Sequence, residues 1–362
     1  MDASIAILPG DGVGPEVISE SMKVLDAVAS KFKHNFNLTL GDIGGCAIDK
    51  YGTALPDITL EKCSNSDAIL MGAVGGPKWD DPSNKIRPED GLLKIRKSLK
   101  LFANIRPVKV YPSLLNATPI KPEILKNVDI LVIRELTGGL YFGKPKKRWA
   151  TSKGRRGVDT LKYSEHEIRR ILKLAFELSG SRRKKLTSVD KQNVLETSRL
   201  WREIAIEMSS DYPEIELEHI LVDNAAMQLI RNPSDFDVIV SENTFGDILT
   251  DETAVLSGSM GMLPSASLSE ASSSSGNGMG LYEPIHGSAP DISGQGIANP
   301  IGSILSTAMM LRLSFNLSDE ALAIERAVEG ILEDGYRTAD ISMDVAANAN
   351  TTKIGDLIAG SI

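Results

Sequence analysis

The sequence predicts an α/β protein with a largely parallel sheet, and three observations carry that prediction. Short β-branched runs alternate with longer segments of helical period, the pattern of strands joined by crossover helices. Several of these runs deliver a charged group at their carboxyl end, the edge where open α/β sheets gather ligands. At 362 residues the chain exceeds the length at which one hydrophobic core usually stops growing, so two domains are expected.

Taken in order, Ser4 to Leu8 reads as a strand, followed by the turn Pro9-Gly-Asp-Gly-Val-Gly14. A helix from about Pro15 to Ala29 comes next, with proline in its first turn where the missing N–H costs nothing. Ala68 to Met71, Ile130 to Arg134, Leu186 to Val189, Glu218 to Val222 and Asp237 to Val240 read as further strands. Ser269 to Gly280 is expected to be a flexible surface loop, rich in Ser and Gly.

Composition narrows the function classes. A net charge of −8 and a pI near 5.3 disfavour nucleic acid and anionic membranes as partners, so an anionic substrate must be captured by local arginines. Cys46 and Cys63 lie in no metal-binding or redox pattern, and a reducing compartment, the cytoplasm, is expected. With the first residues running straight into SIAILPGDG and no run of about 18 apolar residues, neither export nor membrane insertion is expected.

The residues that promise chemistry sit mostly in the middle of the chain. Asp247 and Asp251 are four apart in FGDILTDETAVL, which puts both carboxylates on one helix face. That spacing suits a hard cation such as Mg²⁺ or Mn²⁺, and equally a solvated surface. Lys191 follows LTSVD, Asp223 follows HILV, and Arg134 ends ILVIR with Tyr141 a few residues on. These groups are expected to converge on one rim. Arg96 and Arg106 flank a helix and, with Arg134, describe a pocket for a dicarboxylate. Leu92 and Leu93 read either as core or as the wall facing a branched alkyl group.

The glycine-rich segments behave differently. GDGVGP resembles a phosphate-cradling turn, but it is not GxGxxG because Pro15 stands at the last glycine position, so a Rossmann cofactor site is unsupported. Residues 283 to 300, EPIHGSAPDISGQGIANP, form a loop of small residues whose backbone could approach a nucleotide closely. Asp291 is placed to accept hydrogen bonds from a ribose diol and to repel a 2′-phosphate, favouring NAD over NADP.

The motifs GDGVGPEV, AVGGPKWD, LFANIRPVK, RELTGGLYFG, VDKQNVLETSRLWR, VDNAAMQLI, NTFGDILTDE and EPIHGSAPDISGQGIANP together resemble the decarboxylating β-hydroxyacid dehydrogenases of the isocitrate/isopropylmalate dehydrogenase family. The likeness runs through the whole chain. It implies a two-domain α/β fold that is not a Rossmann fold, with residues 1–101 and 258–362 in the first domain and 102–257 in the second. It also implies a homodimer with shared active sites, and an NAD-dependent oxidative decarboxylation of 3-isopropylmalate in leucine biosynthesis. Isocitrate, homoisocitrate or tartrate are the alternative substrates.

Residue by residue, the resemblance implies Arg96, Arg106 and Arg134 as carboxylate clamps, and Tyr141 and Lys191 as acid and base. Asp223, Asp247 and Asp251 would hold Mg²⁺ or Mn²⁺, with Lys191 and Asp223 coming from the other subunit. Glu89, Leu92 and Leu93 would set specificity. Gly76, Pro77 and Glu89 would serve the nicotinamide end; Glu283, His286, Gly287, Ser288, Ala289, Asp291, Ile292 and Asn299 would serve the rest of NAD. Gln192 and Thr244 depart from the expected small or apolar residues without removing a catalytic group. The insertion 144–157, KPKKRWATSKGRRG, reads either as a nucleic-acid patch or as a solvated loop where the family carries its dimer arm, the latter being preferred.

Overall fold

The computed structural model describes residues 1–270, 278–342 and 349–362. Most of the serine-rich segment read as a flexible loop lies outside the described residues. The strands are β1 Asp2–Gly10, β2 Asn35–Leu40, β3 Ala68–Ala73, β4 Ala103–Lys109, β5 Asp129–Glu135, β6 Lys147–Thr151, β7 Gly154–Val158, β8 Lys185–Asp190, β9 Glu216–Leu221, β10 Val238–Ser241, β11 Pro264–Leu268 and β12 Gly280–Pro284.

Two compact units divide the chain. The first comprises Met1–Leu101, Val110–Glu123 and Ala254–Ile362. Its strands run in the order β2-β1-β3-β12-β11, parallel except for the β11/β12 pair. Ile5, Ile7, Ile69 and Leu70 are fully buried, as expected of strands covered on both faces. The helix Ile301–Leu313 is buried along nearly its whole length and packs on this sheet. The return segment Val110–Glu123 belongs here because Arg337 donates to the Ser113 carbonyl at 3.0 Å and Thr118 to that of Val255 at 2.7 Å.

The second unit comprises Phe102–Lys109 and Ile124–Thr253. Its strand order is β4-β5-β10-β8-β9, with β4 antiparallel to β5 and the other pairs parallel. The helix Glu165–Gly180 covers one face, opened by Ser164 and Glu167 in a reciprocal capping box. The basic insertion differs from its reading as a loop: β6 and β7 pair as an antiparallel ribbon, Trp149 opposite Arg156 and Ala150 opposite Arg155, largely exposed. Backbone pairing, not burial, makes these residues strands. No helix among the described residues is long and apolar enough to cross a membrane.

Candidate active site

Three parallel strands of the second unit carry most of the predicted groups to their carboxyl ends. Arg134 is the penultimate residue of β5; Lys191 follows β8; Asp223 is the second residue of the helix Val222–Arg231 that follows β9. The helix Asn243–Ala254 after β10 carries Asp247 and Asp251. Arg106 lies on β4 rather than beside a helix end, while Arg96 is in the last turn of the helix Pro88–Ser98.

Arg134, Tyr141 and Asp247 form one cluster. Arg134 pairs with Asp247 through Nη1, its guanidinium carbon lies 5.8 Å from the Tyr141 ring centroid, and Tyr141 donates its hydroxyl hydrogen to Asp247 Oδ2 at 2.8 Å. Gly246 makes room for this, since a Cβ there would stand 2.8 Å from the Arg134 side chain. Burial, then the Asp247 contact, pushes the Tyr141 phenol up to about 12, so it is protonated at neutral pH and able to give a proton. Arg106 joins the same helix, donating to Thr250 Oγ1 at 2.7 Å and pairing with Asp251 at 3.5 Å. Burial raises the Asp251 carboxyl, Arg106 opposes it, and the neighbouring Asp247 charge raises it further.

Lys191 and Asp223 form a second group, with Nζ 2.5 Å from Oδ1. Hydrogen bonding from the ammonium holds the Asp223 carboxyl below its ordinary range. The expected convergence on one rim is therefore divided within a single chain. Among the described residues, no three metal-ligating side chains come together. The donor chemistry still fits a hard cation: Asp247 and Asp251 share a helix face, and their side chains are 36% and 58% exposed.

The remaining predicted residues lie in the first unit. Arg96 is buried and pairs with buried Glu283 at 2.8 Å. Glu89 stands beside Gly75, where a Cβ would be 3.3 Å from its carboxylate and 3.5 Å from Ser288 Oγ. Gly76 and Pro77 line an open cavity of about 370 Å³ together with Gly10, Gly12, Gly75 and Pro290. Leu92 packs on the core cluster of Leu8, Ile95 and Leu281, whereas Leu93 is partly exposed outside that cluster. Ala289 and Ile292 pack against Val13, Val17 and Ala298, leaving Asp291 exposed.

His286 Nδ1 sits 2.8 Å from the Gly287 carbonyl, while its buried Nε2 has no partner, and burial lowers its pKa. Gly287, Gly294 and Gly296 have open space where a Cβ would be. An orphaned imidazole nitrogen beside uncrowded backbone fits a nucleotide. Asn299 is tied within its own unit: its amide donates to Asp340 at 3.1 Å and accepts from the Ile301 backbone at 3.0 Å.

Sequence reasoning missed Asn243, Thr250 and Asn104, which hold the two arginines. Asn243 Oδ1 accepts from Arg134 and Asn104 Oδ1 accepts from Arg106 Nε at 2.8 Å. Their only sequence signal is proximity: Asn243 precedes Asp247 by one helical turn, and Thr250 adjoins Asp251.

A largely parallel sheet with an arginine, carboxylate and phenol cluster at its strand ends places the chain among α/β enzymes. A sequence model described as isocitrate/isopropylmalate dehydrogenase matches residues 4–358. The chain belongs to that family. It is 58% identical over 359 residues to the 3-isopropylmalate dehydrogenase of Dehalococcoides mccartyi strain CBDB1, covering 99% of this chain and 98% of that protein. It is 55% identical over 343 residues to the 3-isopropylmalate dehydrogenase of Bacillus subtilis strain 168, covering 94% and 92%. The crystal structure of isocitrate dehydrogenase from Methylococcus capsulatus superposes with a TM-score of 0.87 at 32% identity, covering 99% of both chains.

Proposed function

We propose that this chain catalyses the NAD-dependent oxidative decarboxylation of 3-isopropylmalate to 4-methyl-2-oxopentanoate and CO₂, a step of leucine biosynthesis, in the cytoplasm. The observation that carries the mechanism is Tyr141, a phenol kept protonated against Asp247 beside Arg134. Support for the substrate comes from full-length similarity to proteins named for it.

Arg96, Arg106 and Arg134 take the substrate carboxylates. Lys191, acting as the neutral amine, takes the C2 hydroxyl proton on Nζ as hydride leaves C2, and Tyr141 gives its phenolic proton to the enol carbon after CO₂ departs. When bound, NAD⁺ supplies the hydride acceptor, and Mg²⁺ or Mn²⁺ supplies positive charge that polarises the C2 oxygen. Asp247 and Asp251 would hold the cation together with Asp223 from a second copy of the chain. The homodimer reading is supported by Met227 and Ile248, 55% and 62% exposed on the helices bearing Asp223 and the aspartate pair.

The deciding experiment is an absorbance assay for NADH formation with 3-isopropylmalate, NAD⁺ and Mg²⁺, run beside isocitrate and tartrate. Turnover with 3-isopropylmalate at the highest kcat/KM is expected. Turnover confined to another acid would move the chain to a sister activity.

A further inference from the structure

The turn Gly10-Asp-Gly-Val-Gly-Pro-Glu16 resembles in sequence a phosphate cradle, a structure whose backbone N–H groups point at a ligand. Its observed bonding is the reverse. The Asp11 backbone N–H is used on the Ala73 carbonyl at 2.7 Å, and that of Val13 on the Ser288 carbonyl at 2.9 Å. The turn's carboxylates collect N–H groups from elsewhere. Buried Asp11 accepts from the backbones of Gly45 at 2.7 Å, Cys46 at 2.8 Å and Gly75 at 2.9 Å. Glu16, in the first turn of the helix Gly14–Phe32, accepts from Gly294 at 2.5 Å and Gly296 at 3.1 Å.

Three loops distant in sequence are thereby tied to one turn: residues 44–46, 73–76 and 288–296. The glycines of the turn permit the approach, because a Cβ on Gly10 would meet the Ala73 oxygen at 2.0 Å and one on Gly12, at φ +59°, the Ser288 oxygen at 1.9 Å. These loops line the cavity that holds Gly75, Gly76 and Pro290 at its wall. The loop bound by Glu16 also carries Asp291 and Ile292.

We infer that Asp11 and Glu16 are positioning residues for the nicotinamide cofactor: they act through loop backbones, fixing the cavity wall and the 291–296 loop before the nucleotide arrives. The inference rests on the NAD-dependent reading above. A carboxylate serves this task better than an amide, since both of its oxygens accept and bonds to a charged acceptor are stronger. Preordering lowers the entropic cost of ligand binding, so a looser loop weakens cofactor affinity without altering the chemical step.

The test uses full-length Glu16→Gln, in which one oxygen still accepts while an NH₂ replaces the other. Hydrogen exchange in the protein without cofactor should be about tenfold faster over residues 288–297. Calorimetry should show an NAD⁺ Kd raised about fivefold to tenfold, with the dicarboxylate KM and saturating kcat within about twofold of the parent. Asp11→Asn should add faster exchange at residues 73–77; if it fails to fold, Glu16→Gln alone decides. Unchanged exchange and NAD⁺ affinity in Glu16→Gln would overturn the inference. A parent protein that takes up no NAD⁺ would instead sink the functional reading, and the exchange measurement on the unliganded variant would still judge the loop clamp.

Discussion

Asn243 Oδ1 accepts hydrogen bonds from both Nε and Nη2 of Arg134, at 3.1 and 2.9 Å, while its own amide donates to the Gly138 carbonyl at 3.1 Å. One side-chain oxygen thus fixes the plane of a buried guanidinium, and Nη1 is left directed at Asp247. Replacing Asn243 with Ala should cost about 2 kcal/mol of stability, since charged hydrogen bonds are lost inside the protein. Freed of its plane, Arg134 should also bind carboxylate less well, raising the dicarboxylate KM roughly tenfold. Steady-state kinetics beside a denaturant titration would check both, and an unchanged KM would remove Asn243 from substrate positioning.

The Tyr141 phenol predicts a pH profile. An acid whose folded pKa is raised keeps its proton further into alkali, so the donor form persists until pH approaches about 12. Any loss of kcat between about pH 8 and 10 should therefore persist in Tyr141→Phe and belong to another group. The substitution itself should reduce kcat by about 10²-fold through the steps after hydride transfer, leaving a rapid first turnover of NADH. Lys191→Met should abolish that first turnover instead. A Tyr141→Phe enzyme with no initial burst would place the phenol before hydride transfer.

Leu92 and Leu93 separate two readings that adjacency in sequence kept together. Leu92 packs on the buried cluster that includes Ile95 and Leu281, so Leu92→Ser should chiefly lower stability, by about 2 kcal/mol or more. Leu93 lies outside that cluster, so Leu93→Ser should leave the melting temperature within a few degrees. It should reduce kcat/KM for 3-isopropylmalate by roughly 10- to 200-fold relative to a substrate lacking the branched group. Equal losses for branched and unbranched acids would show that Leu93 does not meet the alkyl group.

Legibility in the sequence followed the physics that forms each element. The runs AILM, ILVIR and DVIV became β3, β5 and β10 because burial on both faces demands unbroken apolar residues. β11, PSASL, and β12, GLYEP, carry no such signal. Their burial depends on tertiary satisfaction, as when Ser265 donates to the Glu283 carbonyl at 3.0 Å. β4 was hidden by Pro107 and by Arg106, whose buried charge meets Thr250, Asn104 and Asp251 in the fold. Within the site, the four-residue spacing of Asp247 and Asp251 was visible in one helix. The bond from Arg134 to Asn243 joins residues 109 positions apart and leaves no local pattern.

The division between Lys191 with Asp223 and Tyr141 with Asp247 and Asp251 gives the sharing of sites a direct assay. If one site takes its lysine from one protomer and its aspartate pair from the other, Lys191→Met and Asp251→Asn are each inactive alone but complementary. In a mixed dimer, one site then receives both altered residues and the other receives none. Random reassociation makes half of the dimers mixed, so a denatured and refolded equimolar mixture should recover about one quarter of parental activity. A double variant carrying both changes on one chain, mixed with parent, should give the same value. Mixing the two single variants without refolding should give nothing until subunits exchange. A refolded mixture of the two single variants that stays inactive, while the refolded parent recovers, would show that each chain uses its own lysine and aspartates.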